Sequence, residues 1–271
     1  MYKLIALDMD GTLLNSNKEI SKENHEAIKK AREKGVKVVL ATGRPVEGIK
    51  KYLEELDMVS DEEYVAAYNG AVIQNCKSGD IISKIPLNLD AYKELYELSK
   101  ELNVNIHALT DEGVTTPKYN EYTEIEVTIN KIPIKVEEVS DIDENETIIK
   151  VMFIDDPKKL DDITDKIPEH IKEKYTVVRT YSIFLEFLDK RVDKAFGVKT
   201  IAQNLNIKEE EIICVGDAGN DLGMVKYAGL GVAMGNAFDE VKEIADYVTL
   251  SNDNHGVAHV IEKFICLNKG D

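Results

Sequence analysis

Four aspartates in two short motifs are the residues whose type and spacing can do chemistry. Asp8 and Asp10 stand in Asp8-Met9-Asp10-Gly11-Thr12, directly after the apolar run Leu4–Leu7. Asp217 and Asp221 stand in Gly216-Asp217-Ala218-Gly219-Asn220-Asp221, directly after Ile212–Val215. A third apolar run, Val36–Leu40, finishes in Ala41-Thr42-Gly43-Arg44. In a parallel sheet, ligands bind where strands end at their carboxyl edge. These three loops come from distant parts of the chain yet would share that edge, gathering Asp8, Asp10, Asp217 and Asp221 in one crevice. Two carboxylates 4 Å apart repel by roughly 4 kcal/mol at an effective dielectric near 20. Four together therefore need a cation. Oxygen donors with little His or Cys nearby select a hard ion, and Mg²⁺ is the expected one.

The elements around these loops follow from the hydrophobic pattern. Short apolar runs alternate with amphipathic stretches, the pattern of βαβ units and a parallel sheet. Ser21 can cap a helix reaching about Lys34, with Ala27, Ile28 and Ala31 inward and Gly35 at its stop. Asn69-Gly70 is a turn dipeptide between Val65–Tyr68 and Ala71–Gln74, which suggests a hairpin. After Pro86 the style changes. The leucine-rich stretch from Leu89 to Leu102 predicts a core-packing helix, and Val104–Ala108 a strand. Tyr119–Val139 reads equally as strand or helix. Thr147–Ile154 predicts a strand, Pro157–Lys172 one amphipathic helix, and Thr176–Leu188 two strands broken near Ser182. From Asp193 the first style returns, with helix Lys194–Leu205 and further short units at Gly231–Met234 and Tyr247–Leu250. The organisation predicted is an α/β, Rossmann-like core split into 1–84 and 190–271, with an inserted α+β domain at 85–189.

Composition narrows the function. Of 271 residues, 43% are hydrophobic and 31% charged, as a folded globular chain requires, and the length suits one large domain or two modest ones. Lys plus Arg number 34 against 51 Asp plus Glu, a net charge of −17. Nucleic acid and anionic membranes need a cationic face, so neither is the expected partner. Cys76, Cys214 and Cys266 show no CxxC spacing, which fits neither a disulfide framework nor a zinc site. Cys214 sits within a strand pattern and reads as a buried core thiol. The acidic run Asp61-Glu62-Glu63 reads as a solvated loop, and the five histidines have no ligand spacing. The N-terminal apolar run is too short for a signal peptide or membrane span, so the expectation is a soluble, cytoplasmic protein.

Asp8-Met9-Asp10-Gly11-Thr12-Leu13-Leu14 resembles the first motif of the haloacid dehalogenase-like phosphohydrolases. Thr42 fits the second motif, Lys194 the third, and Gly216 to Asp221 the fourth. Their order, spacing and inserted domain are similar to the Cof-type branch, many of whose members are sugar phosphatases. Asn69-Gly70-Ala71 and the stretch Asp253 to Ala258 add to the likeness, whereas Ala195-Phe196 departs from the small pair usual after the lysine. Alone, Thr42-Gly43-Arg44 would be an ordinary strand-to-helix turn and Lys194 one lysine among many.

The resemblance implies roles. Asp8 is the nucleophile that forms an aspartyl-phosphate. Asp10 is the general acid and base. Asp8, the Asp10 backbone carbonyl and Asp217 hold Mg²⁺, with Asp221 through water or behind it. The Thr42 hydroxyl, backbone N–H groups near Met9 and Gly43, the Asn220 amide and the Lys194 ammonium surround the phosphoryl group. Arg44 and, from the inserted domain, Arg179 are possible substrate contacts. The inserted domain is expected to be a C2-type cap that excludes water and supplies specificity. The predicted activity is Mg²⁺-dependent hydrolysis of a small phosphorylated metabolite, a sugar phosphate foremost. Two alternatives are phosphotransfer of the phosphomutase kind and a phosphometabolite-binding regulator without turnover.

Overall fold

In a computed structural model, which describes residues 1–267, Leu4–Leu7 forms strand β1 with all four side chains buried. An unbroken apolar run is what a strand covered on both faces requires. The chain continues through α1 (Lys22–Glu33), β2 (Lys37–Ala41), α2 (Lys50–Glu55), β3 (Tyr64–Ala67), β4 (Val72–Asn75) and β5 (Ile81–Lys84). Next come α3 (Leu89–Glu101), β6 (Asn105–Thr110), β7 (Val114–Thr116), α4 (Glu121–Asn130), β8 (Ile134–Val136), β9 (Ile148–Ile154), α5 (Pro157–Thr164), α6 (Glu169–Lys174), β10 (Tyr175–Tyr181) and β11 (Phe184–Asp189). The last group is α7 (Lys194–Asn204), β12 (Ile212–Gly216), α8 (Leu222–Tyr227), β13 (Leu230–Ala233), α9 (Asp239–Ile244), β14 (Tyr247–Val248) and α10 (Gly256–Ile261).

Two compact units result. The first takes residues 1–43, 50–83 and those from Asp193 on; the second takes 44–49 and 84–192. The segment 44–49, sequentially inside the core, thus groups with the inserted unit, where Gly48 lies so close that a Cβ would meet Asn130 Oδ1 at 2.2 Å. Residues 190–192, assigned to the core from the sequence, also group there, and 268–271 lie outside the described residues.

The first unit is an eight-stranded sheet in the order β14-β13-β12-β1-β2-β3-β4-β5. It is parallel from β14 through β3, and β4 returns antiparallel to β3. From β1 the chain builds outward through β2 and β3, and from β12 outward in the opposite direction. The strand order therefore reverses between β1 and β12, the place where open α/β sheets form their ligand crevice. Helix α7 covers one face, packing Val198, Ile201 and Ala202 on Leu4, Ala6, Val39 and Cys214. Ser21 caps α1 as its sequence predicts, accepting from the Asn24 N–H at 3.2 Å. One expectation fails here. Glu63 is not solvated but buried, its carboxylate bound to Arg32 Nε at 2.7 Å, because Arg32 on α1 also caps the carbonyls of Leu56 and Asp57.

The inserted unit is a six-stranded sheet ordered β10-β11-β9-β6-β7-β8, antiparallel except for the β7–β8 pair. Its core joins Tyr92 and Leu95 of α3 and Leu160 of α5 to Ile106, Val151, Phe153 and Phe187 of the sheet. The ambiguous stretch 119–139 is both things, helix α4 capped by Asn120 and then strand β8. The single helix predicted over 157–172 is instead two, because Pro168 lacks an N–H and stands before α6. Among the described residues, no helix is long and apolar enough to cross a membrane.

Candidate active site

Strand β1 delivers Asp8 to the carboxyl edge of the sheet, and the turn that follows is closed by Leu13 N–H to Asp8 O (3.2 Å) and Leu14 N–H to Met9 O (2.8 Å). Next to it, β12 delivers Asp217. The two loops interlock at Gly11, whose φ is +89° and where a Cβ would fall 2.3 Å from Asp217 Oδ2. Only glycine allows both that backbone angle and that approach. Thr12 Oγ1 donates to Asp217 Oδ1 at 2.7 Å, fixing the carboxylate from the opposite loop.

Asp221 is fully buried, and its Oδ2 accepts from the backbone N–H groups of Asp217 (2.9 Å) and Ala218 (3.0 Å). Its Oδ1 accepts from Lys194 Nζ at 2.6 Å, and the same ammonium donates to Asp8 Oδ1 at 2.5 Å. Lys194 opens α7, with Asp193 as its cap accepting from the Phe196 N–H. A cation in the first turn opposes the helix dipole, so helix stability does not select lysine there. The two carboxylates do.

Burial pushes the Asp8 carboxyl well up; Lys194 partly offsets this, while Asp221 and Asp217 push it further. Asp217 is pushed up to about 6, again by burial first and then by Asp221. For Lys194 burial works against the charge, but Asp221 and Asp8 outweigh it and hold the ammonium protonated. Asp8, Asp217 and Asp221 each offer an oxygen within 4.8 Å of the others. With all three ionised and one lysine among them, two negative charges are left over. That excess and the all-oxygen donor set fit a hard divalent cation.

The other sequence-predicted residues divide. The Asp10 carboxylate is not one of the three that meet within 4.8 Å, and it accepts from Lys18 Nζ at 2.8 Å. Met9 is buried in the turn, and Thr42 is buried at the end of β2, its N–H bound to Ala66 O and its carbonyl to the Asn69 N–H. Asn220 Nδ2 donates to Asn69 Oδ1 at 3.0 Å, and Gly43 packs against the same Asn69 side chain. Arg44 groups with the inserted unit. Arg179 lies on β10 of the inserted unit. Its guanidinium is taken up by the Tyr181, Ser182 and Pro157 carbonyls and by Asp161, and so braces the β10–β11 turn against α5.

Two residues carry more than the sequence suggested. Asn69 read as a hairpin turn residue, yet it ties the Thr42-Gly43 loop to Asn220. It sits between Tyr68 and Gly70 in a run of three left-handed residues, φ 50°, 55° and 93°. A tyrosine in that region is strained, and such strain concentrates at functional sites. The signal available was a polar residue just past an apolar strand on the shared edge. Lys18 had no signal at all; only the folded turn brings it to Asp10.

Fold and site define an α/β enzyme core with a carboxylate–lysine cluster at the point where its strand order reverses. The chain belongs to the haloacid dehalogenase-like hydrolases, whose family model matches residues 5–261. It is 42% identical over 267 residues to YxeH of Bacillus subtilis (strain 168), covering 98% of this chain and 99% of that protein. It is 33% identical over 265 residues to the 5-amino-6-(5-phospho-D-ribitylamino)uracil phosphatase YcsE of the same organism, covering 97% and 96%. Among solved structures, the subclass IIB sugar phosphatase BT4131 superposes with a TM-score of 0.82 at 26% identity, over 97% of this chain and 98% of that one.

Proposed function

We propose that this hydrolase is a Mg²⁺-dependent phosphatase of small phosphorylated metabolites, sugar phosphates foremost, working through an aspartyl-phosphate. The observation that carries the reading is the Asp8 carboxylate held at 2.5 Å by the buried Lys194 ammonium, beside Asp217 and Asp221 at the sheet's switch point. The substrate class draws on the sugar phosphatase BT4131 and the phosphoester substrate in the name of YcsE.

Asp8 attacks phosphorus; its O–P bond forms as the bond from phosphorus to the substrate's ester oxygen breaks. Asp10 gives that leaving oxygen a proton and then takes one from the water that attacks the aspartyl-phosphate. Phosphate leaves and Asp8 is restored. Lys194 pairs with Asp8 and neutralises negative charge on the transferring group. The Thr42 hydroxyl, the N–H groups of Met9 and Gly43, and the Asn220 amide hold its oxygens. Asp8, Asp217 and the Asp10 carbonyl would hold Mg²⁺, with Asp221 supporting them, and the ion would supply positive charge to the phosphoryl oxygens.

The test is phosphate release from a panel of sugar phosphates, nucleotides and phosphorylated cofactors, with Mg²⁺ and with a chelator. Release from sugar phosphates that needs Mg²⁺ supports the reading. Saturable binding without release, or transfer to a second sugar in place of water, overturns it.

A further inference from the structure

The turn after Asp10 is held in place from four directions. Asn15 to Glu19 form a tight hairpin, closed by Asn15 N–H to Glu19 O at 3.0 Å and by the Asn15 side chain accepting from the Asn17 and Glu19 N–H groups. Asp253 grips its tip through both Ser16 groups, the N–H at 2.8 Å and the hydroxyl at 2.7 Å. Asn252 donates to Leu14 O, Asn236 to Gly11 O, and Tyr52 to Lys18 O. Asn236 also accepts from the Asn252 N–H, so the clamps are joined to each other.

At the end of this hairpin Lys18 adopts φ +61° and reaches back 2.8 Å to Asp10 Oδ1. A left-handed lysine lowers stability, and glycine or asparagine would serve the turn better. The ion pair does not repair the loss, since both partners are partly exposed, at 41% and 28%, and such pairs add little. That pair gives stability little reason to keep a left-handed lysine here, while its geometry gives the Asp10 carboxylate a fixed partner.

We propose that Lys18 is a positioning residue for Asp10 and that Asp253 sets the hairpin from which it reaches. The inference rests on the acid–base role proposed for Asp10. One hydrogen bond from a clamped lysine restricts the swing of that carboxylate, and misplacement of a reacting group by about 1 Å is enough to slow catalysis roughly a hundredfold.

The experiment compares wild type, K18G, K18R, D253A and the K18G/D253A double variant with a phosphoester that wild type hydrolyses, measuring kcat, KM, the Mg²⁺ requirement and the melting temperature. K18G relieves the backbone and removes the ammonium. Its kcat is expected to fall about 10- to 100-fold with KM and Mg²⁺ requirement unchanged, while its melting temperature stays at or above that of wild type. K18R should retain more activity than K18G, and the double variant should be no slower than K18G. A K18G enzyme with full kcat, or one whose lost rate comes with a lower melting temperature, overturns the proposal. A wild type that hydrolyses no phosphoester overturns the acid–base reading and takes this inference with it.

Discussion

Lys194 Nζ lies 2.5 Å from Asp8 Oδ1, with both side chains buried at the carboxyl edge of the sheet. Asp221 shares the same ammonium at 2.6 Å, so one lysine pairs with two carboxylates from loops far apart in sequence. Removing either sign of charge leaves the other in a dry environment, and the consequences of the two removals differ.

Asp8→Asn keeps the size of the side chain and removes one negative charge from a crowded site. Lys194 keeps Asp221 as its counterion, so the fold should survive with an unchanged or higher melting temperature in metal-free buffer. Phosphate release should drop by roughly 10⁴-fold or more, the scale of losing a nucleophile. Release near the wild-type rate would remove Asp8 from its proposed role.

Lys194→Met does the reverse. Breaking a buried ion pair from one side typically costs about 3–5 kcal/mol, because the remaining charge is stranded. Urea unfolding in a chelator should show a loss of that order. Added Mg²⁺ should recover part of it by compensating Asp8, Asp217 and Asp221, whereas a variant equally destabilised with and without Mg²⁺ would argue that no cation binds there.

Much of this site was legible because its motifs follow apolar strands directly. Leu4–Leu7 and Ile212–Val215 are short unbroken apolar runs of the kind covered strands show, and in a parallel sheet the loops that follow them share one edge. Long-range partners were not legible in the same way. Glu63 looked solvated because it ends the acidic run Asp61-Glu62-Glu63; its neighbours are exposed, but it is buried against Arg32, 31 residues away. The partners of Arg179, offered by the sequence as a possible substrate contact, are mostly carbonyls, which carry no sequence signal. Lys18 owes its place to left-handed backbone that a lysine does not announce, whereas the turn at Asn69-Gly70 was readable and the tie from Asn69 to Asn220 was not.

His107 on β6 makes the stability of the inserted unit depend on pH. Burial, with the Lys150 charge behind it, lowers its pKa to about 3, and its ring nitrogens lie 3.5 Å from Thr123 Oγ1 and 3.3 Å from Met152 Sδ. Between that value and about 6.5 the unfolded chain binds a proton that the folded chain does not. Stability from this group is therefore complete above about pH 6.5 and is lost as pH falls toward 3, by at most about 1.4 kcal/mol per pH unit. His107→Gln cannot take up that proton. The difference in unfolding free energy between wild type and variant should shrink steadily from pH 7 to 4, and a constant difference would refute the neutral buried imidazole.

Asn69 allows backbone and side-chain effects to be separated. Its φ of 55° suits asparagine and glycine but strains alanine, while its amide oxygen holds Asn220. Asn69→Gly should keep the turn and lose the hydrogen bond; Asn69→Ala should lose both, with about 1–2 kcal/mol of added strain. If the contact to Asn220 is what matters for turnover, the two variants should share a similar drop in kcat, about tenfold for a positioning contact. Only Asn69→Ala should melt at a clearly lower temperature. A glycine variant with wild-type kcat would mean that Asn220 finds its place without Asn69, and that the left-handed run at Tyr68-Asn69-Gly70 serves the packing of Gly70 on α7 rather than the chemistry. The two outcomes are distinguishable because Gly70 lies so close to Asp193 that a Cβ would meet its carbonyl at 2.4 Å, a contact that neither substitution at Asn69 touches.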